Sequence, residues 1–293
     1  MKKQNGWLMG IVALAVLCLY YMVESSMTSE ALEPKNFGSG VLNIAHRGAS
    51  GYAPEHTMIA YQIAGEMEAD FLEIDVHMTS DDVLVAMHDE DVARTTDGEG
   101  FIQEMKHAEI DKLDAGSWFN QAYPDQADKR YEQVRVPKLT DIFDHFGTST
   151  KYYIEIKNAA SADLLLQTLE DYQLIEKNAV IIQSFDSAVL QKIYEQYPSL
   201  PLIQLLGKNK MLFANYKKIR KYAVGVGLPY QKLNQRLIRH LHRNGLLVHT
   251  YTVNDEADMK RLIEWGIDGI FTDYPDRLYD IKENRLNVFH SIN

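Results

Sequence analysis

Glu73 and Asp75 stand two residues apart in the run FLEIDV, and Glu155 and Lys157 repeat that spacing in YYIEIK. Successive side chains of a β-strand point to opposite faces, so each pair shares one face of its strand. On neighbouring strands the two pairs bring three carboxylates and an ammonium together. Several carboxylates in one interior are costly without partners, and two arrangements relieve the conflict. In one, Glu73 and Asp75 pair with Arg47 and Lys157 as structural salt bridges. In the other, a divalent cation lies between Glu73, Asp75 and Glu155, where all-oxygen ligation suits Ca2+ or Mg2+ rather than zinc. Two histidines favour the second. His46 and His88 come from distant segments, and a pair flanking a cation suits general acid–base chemistry near neutral pH. Arg47, with its planar fork of donors, suits an oxyanion such as phosphate.

These residues need a scaffold that delivers them to one place. Short β-rich runs at 41–45, 71–76, 83–87, 152–156, 180–184, 202–206, 223–227, 246–252 and 269–272 alternate with stretches of helical spacing at 58–69, 162–172, 188–197, 211–222, 235–244 and 256–265. Strands alternating with helices over such a length predict a single α/β domain, a TIM (β/α)8 barrel spanning about 41–280. There is one strand candidate more than an eight-stranded barrel holds. Residues 77–82 are too few for the crossover of a parallel pair, so 83–87 is expected to fold back as a hairpin arm beside 71–76. The barrel is thus distorted, with a hairpin and a long insertion, 89–138, after its second strand. Loops that long are usually functional. Active sites of this barrel lie at the C-terminal strand ends, where His46, Arg47, Glu73, Asp75, Glu155, Lys157, Phe185, Tyr251 and Phe271 fall.

Of the 293 residues, 46% are hydrophobic and 24% charged, as in an ordinary globular chain. A net charge of −11 argues against non-specific nucleic-acid binding, which depends on clustered Lys and Arg. Cys18 is the single cysteine, so neither an internal disulfide nor a thiolate zinc site can form. Lys2 and Lys3 precede the apolar run WLMGIVALAVLCLYYMV and a polar exit. That order predicts an export signal or signal anchor over residues 1–31. The expected location is therefore outside the cell, secreted or held at the outer membrane face, with membrane contact only through an uncleaved N-terminal segment.

HRG at 46–48, PEHT at 54–57, ExD at 73–75, HD at 88–89, ExK at 155–157, QSF at 183–185, TVN at 252–254 and GIFTDYP at 269–275 follow one another in an order that resembles the glycerophosphodiester phosphodiesterases, notably the exported enzymes of Gram-positive bacteria. RTT at 94–96, LDAGSWF at 113–119 and PKL at 137–139 match too, so the resemblance covers about 41–277. It implies metal-dependent hydrolysis of a small phosphodiester, such as glycerophosphocholine, glycerophosphoethanolamine or glycerophosphoglycerol, to glycerol 3-phosphate and an alcohol. It further implies that Glu73, Asp75 and Glu155 hold the cation, Ca2+ with Mg2+ as alternative, and that His46 and His88 are acid and base. Arg47 and Lys157 would bind the phosphate, Glu55 would support the site, and Phe185, Tyr251 and Phe271 would wall the glycerol or simply pack the barrel rim. Two positions depart from the commoner pattern, His56 where PENT is usual and Tyr251 where Trp often precedes TVN, and both bear on substrate fit. Trimming of teichoic acid and attack on intact phospholipid are the alternative substrates.

Overall fold

The computed structural model describes residues 40–211 and 214–292, with side chains to residue 284. The expected export segment, 1–31, lies outside the described residues.

Nine strands form one sheet: β1 (Leu42–Ala45), β2 (Phe71–Met78), β3 (Leu84–Ala86), β4 (Tyr152–Ile156), β5 (Val180–Ser184), β6 (Leu202–Leu205), β7 (Gly225–Pro229), β8 (Leu247–Tyr251) and β9 (Gly269–Thr272). Its order is β1-β9-β8-β7-β6-β5-β4-β2-β3, and β1 also pairs with β2, so eight parallel strands close into a TIM barrel. The ninth, β3, runs antiparallel to β2, with Val76 opposite Ala86 and Met78 opposite Leu84. This is the hairpin the short 77–82 link requires.

Pairing register fixes which residues face inward. Glu73 is level with Tyr153 and Asp75 with Glu155, while Glu155 is level with Gln183. The alternate residues Leu72, Ile74, Val76, Ile154 and Ile182 join the apolar layer between sheet and helices. Binary alternation thus sends acids inward and aliphatics outward. The covering helices include α1 (Met58–Glu66), α5 (Ala162–Asp171), α6 (Ser187–Gln196), α8 (Gln235–Arg243), α9 (Glu256–Trp265) and α10 (Pro275–Ile292).

The insertion 89–138 is more ordered than a loop. It contains the short helices α2 (His107–Ile110) and α3 (Ser117–Ala122), and its Val92, Ile102, Ile110, Ala115 and Val136 form a separate core with Val85 and Met87 of the hairpin arm. Asp114 acts as its hub, accepting hydrogen bonds from the backbone N–H groups of Gly116, Ser117 and Gln133. Phe119 and Tyr131 pack against Ala53 and Ala60, which seats the insertion on α1. The helix α4 (Leu139–Phe146) that follows has no counterpart in the expected pattern. The helical stretch expected over 211–222 narrows among the described residues to α7 (Tyr216–Ile219), because Asn215 caps a fresh start by accepting from the Lys218 N–H.

Candidate active site

β1 ends at Ala45, and the next residue, His46, points its Nδ1 at Asp273 Oδ1, 2.7 Å away at the end of β9. Asp273 is held from its other side. Asn254 Nδ2 donates to Oδ2 at 2.6 Å, and the Ser50 hydroxyl donates to Oδ1 at 2.9 Å. Burial alone would raise the Asp273 pKa, but the hydrogen bonds from His46, Asn254 and Ser50 keep it below the usual value.

His88 reaches the same rim by a different route. β2 overshoots the barrel to Met78, and β3 brings the chain back until the Met87 N–H donates to the Asp75 carbonyl at 3.0 Å. His88 therefore follows at the height of the carboxylates. Its Nδ1 lies 2.5 Å from Asp89 Oδ1, and its carbonyl accepts from His77 Nε2 at 3.2 Å. Burial, then the nearby Lys157 and Arg47 cations, pushes the His88 pKa down.

Between the histidines lie the acids. Glu73 is 2% exposed and Asp75 1%. The Arg47 backbone N–H donates to Glu73 Oε2 at 2.8 Å, a geometry allowed by the left-handed φ of +59° at Arg47. Lys157 Nζ stands 3.0 Å from Asp75 Oδ1 and 2.9 Å from Glu155 Oε1. Arg47 Nη1 donates to Glu55 Oε1 at 2.8 Å, and Arg94 reaches both oxygens of Glu55 while also pairing with Asp89. A continuous chain Arg47–Glu55–Arg94–Asp89–His88 thus ties the guanidinium of the first strand to the histidine of the hairpin. Of the two arrangements read from the sequence, the ion pairs are present, with Arg47 Nε 3.7 Å from Asp75 Oδ2 and Lys157 on Asp75 and Glu155, and they leave an excess of carboxylate.

That excess tests whether a divalent cation fits. Burial and the neighbouring Asp75 hold Glu73 well above the ordinary carboxylate range. The same causes push Glu155 up to about 8 despite Lys157. Asp75, though buried, is kept low by Lys157 and by a hydrogen bond from His56. Three buried carboxylates whose charges oppose one another, with the buried Gln183 Oε1 lacking any hydrogen-bond partner nearby, form an oxygen-rich set that suits a hard divalent ion. His56 joins the group: ligand atoms of His56, Glu73 and Asp75 lie within 4.8 Å of one another. The sequence marked His56 only as a variant of the PENT pattern. Asp273 and Asn254 were likewise visible in motifs but carried no assigned part.

The three aromatics are placed differently from one another. Phe185 is 43% exposed at the mouth. Tyr251 lies behind it, with ring centroids 6.4 Å apart, and donates its hydroxyl to the Leu206 carbonyl. Phe271 is buried and packs edge-on against Tyr153 at 4.9 Å, an interior position. His249 and Tyr153 fill the barrel beneath, joined by a 2.7 Å hydrogen bond.

The small motif residues act as fasteners. Thr57 caps α1 and donates to the Pro54 carbonyl, Gln183 Nε2 reaches Glu73 at 3.4 Å, and Ser184 donates to the Ile156 carbonyl.

The chain is similar over most of its length to known proteins. It is 45% identical over 254 residues to a glycerophosphodiester phosphodiesterase of Bacillus subtilis (strain 168), covering 83% of this chain and 87% of that one. It is 34% identical to a glycerophosphodiester phosphodiesterase of Caldanaerobacter subterraneus subsp. tengcongensis, covering 82% and 97%. Among solved structures, a glycerophosphodiester phosphodiesterase of Agrobacterium tumefaciens superposes with a TM-score of 0.69 at 26% identity, covering 82% of this chain and 99% of that one. An Oleispira antarctica phosphodiesterase in complex with the product sn-glycerol-3-phosphate gives 0.72 at 25% identity, covering 85% and 98%. The Glycerophosphoryl diester phosphodiesterase family profile matches residues 46–277, and with its barrel and its rim of acids and histidines the chain belongs to that family of phosphoric diester hydrolases.

Proposed function

We propose that the chain hydrolyses small glycerophosphodiesters, such as glycerophosphocholine, glycerophosphoethanolamine and glycerophosphoglycerol, to glycerol 3-phosphate and the free alcohol. The observation that carries this reading is the pair of histidines, each with Nδ1 on a carboxylate and Nε2 left for substrate, on the rim that holds Glu73, Asp75 and Glu155. Those three acids would hold the divalent cation, Ca2+ with Mg2+ as the alternative; bound there, it would withdraw charge from the phosphate oxygens as a Lewis acid. Arg47 and Lys157 orient the phosphate and offset its charge. One histidine takes the proton from the attacking oxygen, either water or the neighbouring glycerol hydroxyl; on the second route the cyclic phosphate that forms is opened by water in a further step, with the two histidines exchanging parts. A new P–O bond forms and the bond to the alcohol breaks. The other histidine gives its proton to the departing oxygen. Asp273 and Asp89 fix ring orientation and favour the Nδ1–H tautomer, so Nε2 presents the working lone pair or proton. Phe185 offers an apolar wall at the mouth. The N-terminal run behind Lys2 and Lys3 supports export of the enzyme, released or anchored.

The test is turnover of a panel of small diesters, with EDTA and with Ca2+ or Mg2+ restored. The reading expects loss with chelator and recovery with one of the two ions. Full turnover in excess EDTA would remove the cation from it, and no turnover of any glycerophosphodiester under any condition would remove the activity.

A further inference from the structure

His56 is 3% exposed and fully enclosed between two polar partners: its Nδ1 lies 2.7 Å from the Tyr61 hydroxyl and its Nε2 lies 2.9 Å from Asp75 Oδ2. Tyr61 is completely buried on α1. Nothing in the chemistry proposed above uses either residue. Yet the backbone at His56 is held in the left-handed region, φ +55°, with its N–H bound to the Arg47 carbonyl at 3.0 Å. Such a conformation is uncommon outside glycine, although histidine shares with asparagine and aspartate a readiness to adopt it, and it sets where the side chain goes.

The hydrogen-bonding capacities settle the direction of the chain. An ionised Asp75 can only accept, so the proton between it and His56 belongs to Nε2. A neutral imidazole has one N–H, so Nδ1 is a lone pair, and the Tyr61 hydroxyl must donate to it. The proton order Tyr61 O–H to His56, and His56 Nε2–H to Asp75, occupies Oδ2 and leaves Oδ1 facing Lys157 and Glu155.

We infer that Tyr61 and His56 form a buried positioning relay that holds Asp75 by Oδ2 so that Oδ1 is presented to the divalent cation; His56 is not itself a ligand. Direct ligation through Nε2 would require that atom to lose its proton to Nδ1 and Tyr61 to turn from donor to acceptor. The inference rests on the reading of Glu73, Asp75 and Glu155 as the cation site.

Two measurements test it. Calorimetric titration of metal-free protein with Ca2+ compares the parent with His56→Leu, His56→Gln and Tyr61→Phe. Glutamine can place an amide N–H near the position of Nε2. The expected results are Ca2+ affinity about 10–100-fold weaker in His56→Leu, most of it regained in His56→Gln, and a smaller loss in Tyr61→Phe, a residue out of reach of the ion. Nitrogen NMR of histidine-labelled parent should show the Nε2–H tautomer at His56 before and after Ca2+ is added. Unchanged affinity in Tyr61→Phe and His56→Leu, no recovery in His56→Gln, or a move of the proton to Nδ1 on loading would overturn the relay. If His56→Leu does not fold, the Gln and Phe variants carry the comparison. A parent that binds neither Ca2+ nor Mg2+ would instead remove the cation site on which the relay depends.

Discussion

His46 Nδ1 and Asp273 Oδ1 are 2.7 Å apart although 227 positions separate the residues in the chain, and the seam where β1 meets β9 brings them together. Barrel closure therefore completes the proposed catalytic arrangement. Asp273 in turn is clamped by Asn254, whose own Oδ1 accepts from the Asp273 N–H at 3.0 Å. In the proposed chemistry the carboxylate is a positioning group that selects the tautomer with a proton on Nδ1 and stabilises the imidazolium. Replacing Asp273 by Asn preserves shape but allows the wrong tautomer. Turnover of glycerophosphocholine by Asp273→Asn should fall about 10²–10⁴-fold in kcat with KM little changed. Parent-like kcat would show that the dyad is only structural.

Glu155 makes the metal-free protein sensitive to pH. Its folded pKa, about 8, lies above the ordinary value of 4.5, chiefly through burial and then the charge of Asp75. Between those values the folded chain holds a proton that the unfolded chain has released. Its contribution is complete below pH 4.5 and is lost as pH rises through 8. In EDTA the melting temperature should fall by roughly 5 °C or more between pH 5 and pH 8.5. Saturating Ca2+ should flatten that slope, because a bound ion favours the ionised carboxylate. Identical slopes with and without the ion would contradict both the cation site and its coupling to Glu155.

Much of this site could be read from residue order, because the reading depended on period two. The spacings Glu73–Asp75 and Glu155–Lys157 place side chains on one face whatever the surroundings, and strand pairing then sets Asp75 level with Glu155. The hairpin was legible for a similar reason, since six residues cannot cross over. The pairing of His46 with Asp273 was not legible: a closed barrel makes its first and last strands neighbours, but only the register, with Ala45 level with Thr272, sets the two side chains at one height. Nor was the part of His56, because a buried histidine is defined by what surrounds it. The fold of 89–138 was hidden by composition: its polar residues, such as Asp114, satisfy backbone N–H groups rather than solvent. Phe271 illustrates the converse, for an aromatic at a strand end can face the mouth or the packed interior, and here Tyr153 receives it.

Glu55 is the hinge of the ion chain between Arg47 and Asp89. Burial opposes its charge, but the Arg94 hydrogen bonds and the charge of Arg47 bring its pKa down to about 2. Glutamine keeps one acceptor oxygen and turns an N–H toward a guanidinium, so both arginines lose orientation. Removal of a charged hydrogen bond costs about 1.5–3 kcal/mol, and Glu55→Gln should raise KM about tenfold or more. Stability supplied by the depressed pKa is present above pH 4.5 and lost as pH falls through 2, so acid unfolding of the variant should be less steep than that of the parent. A variant with parent KM would mean that Arg47 is held without Glu55.

Gly48 closes the HRG turn against α1, and the turn leaves no room for a side chain. Its φ is +83°, and a Cβ there would lie 2.7 Å from the carbonyl carbon of Ala60 and 2.8 Å from its oxygen. That oxygen already accepts from the Ala49 N–H, so helix and turn cannot separate without losing a buried hydrogen bond. Strain and overpacking together should cost Gly48→Ala about 2–4 kcal/mol, lowering the melting temperature by about 5–15 °C. The displaced turn also carries the Arg47 N–H that binds Glu73, so activity should fall even where the variant stays folded. Gly147, at φ +53° with nothing within 4 Å of its notional Cβ, separates the two causes. Gly147→Ala bears backbone strain alone, at φ +53° and ψ −123° where other residues are rarely found, and should cost about 1–3 kcal/mol with turnover unchanged. Parent-like turnover in a folded Gly48→Ala protein would show that the close approach of Gly48 to α1 does not set the place of the Arg47 N–H.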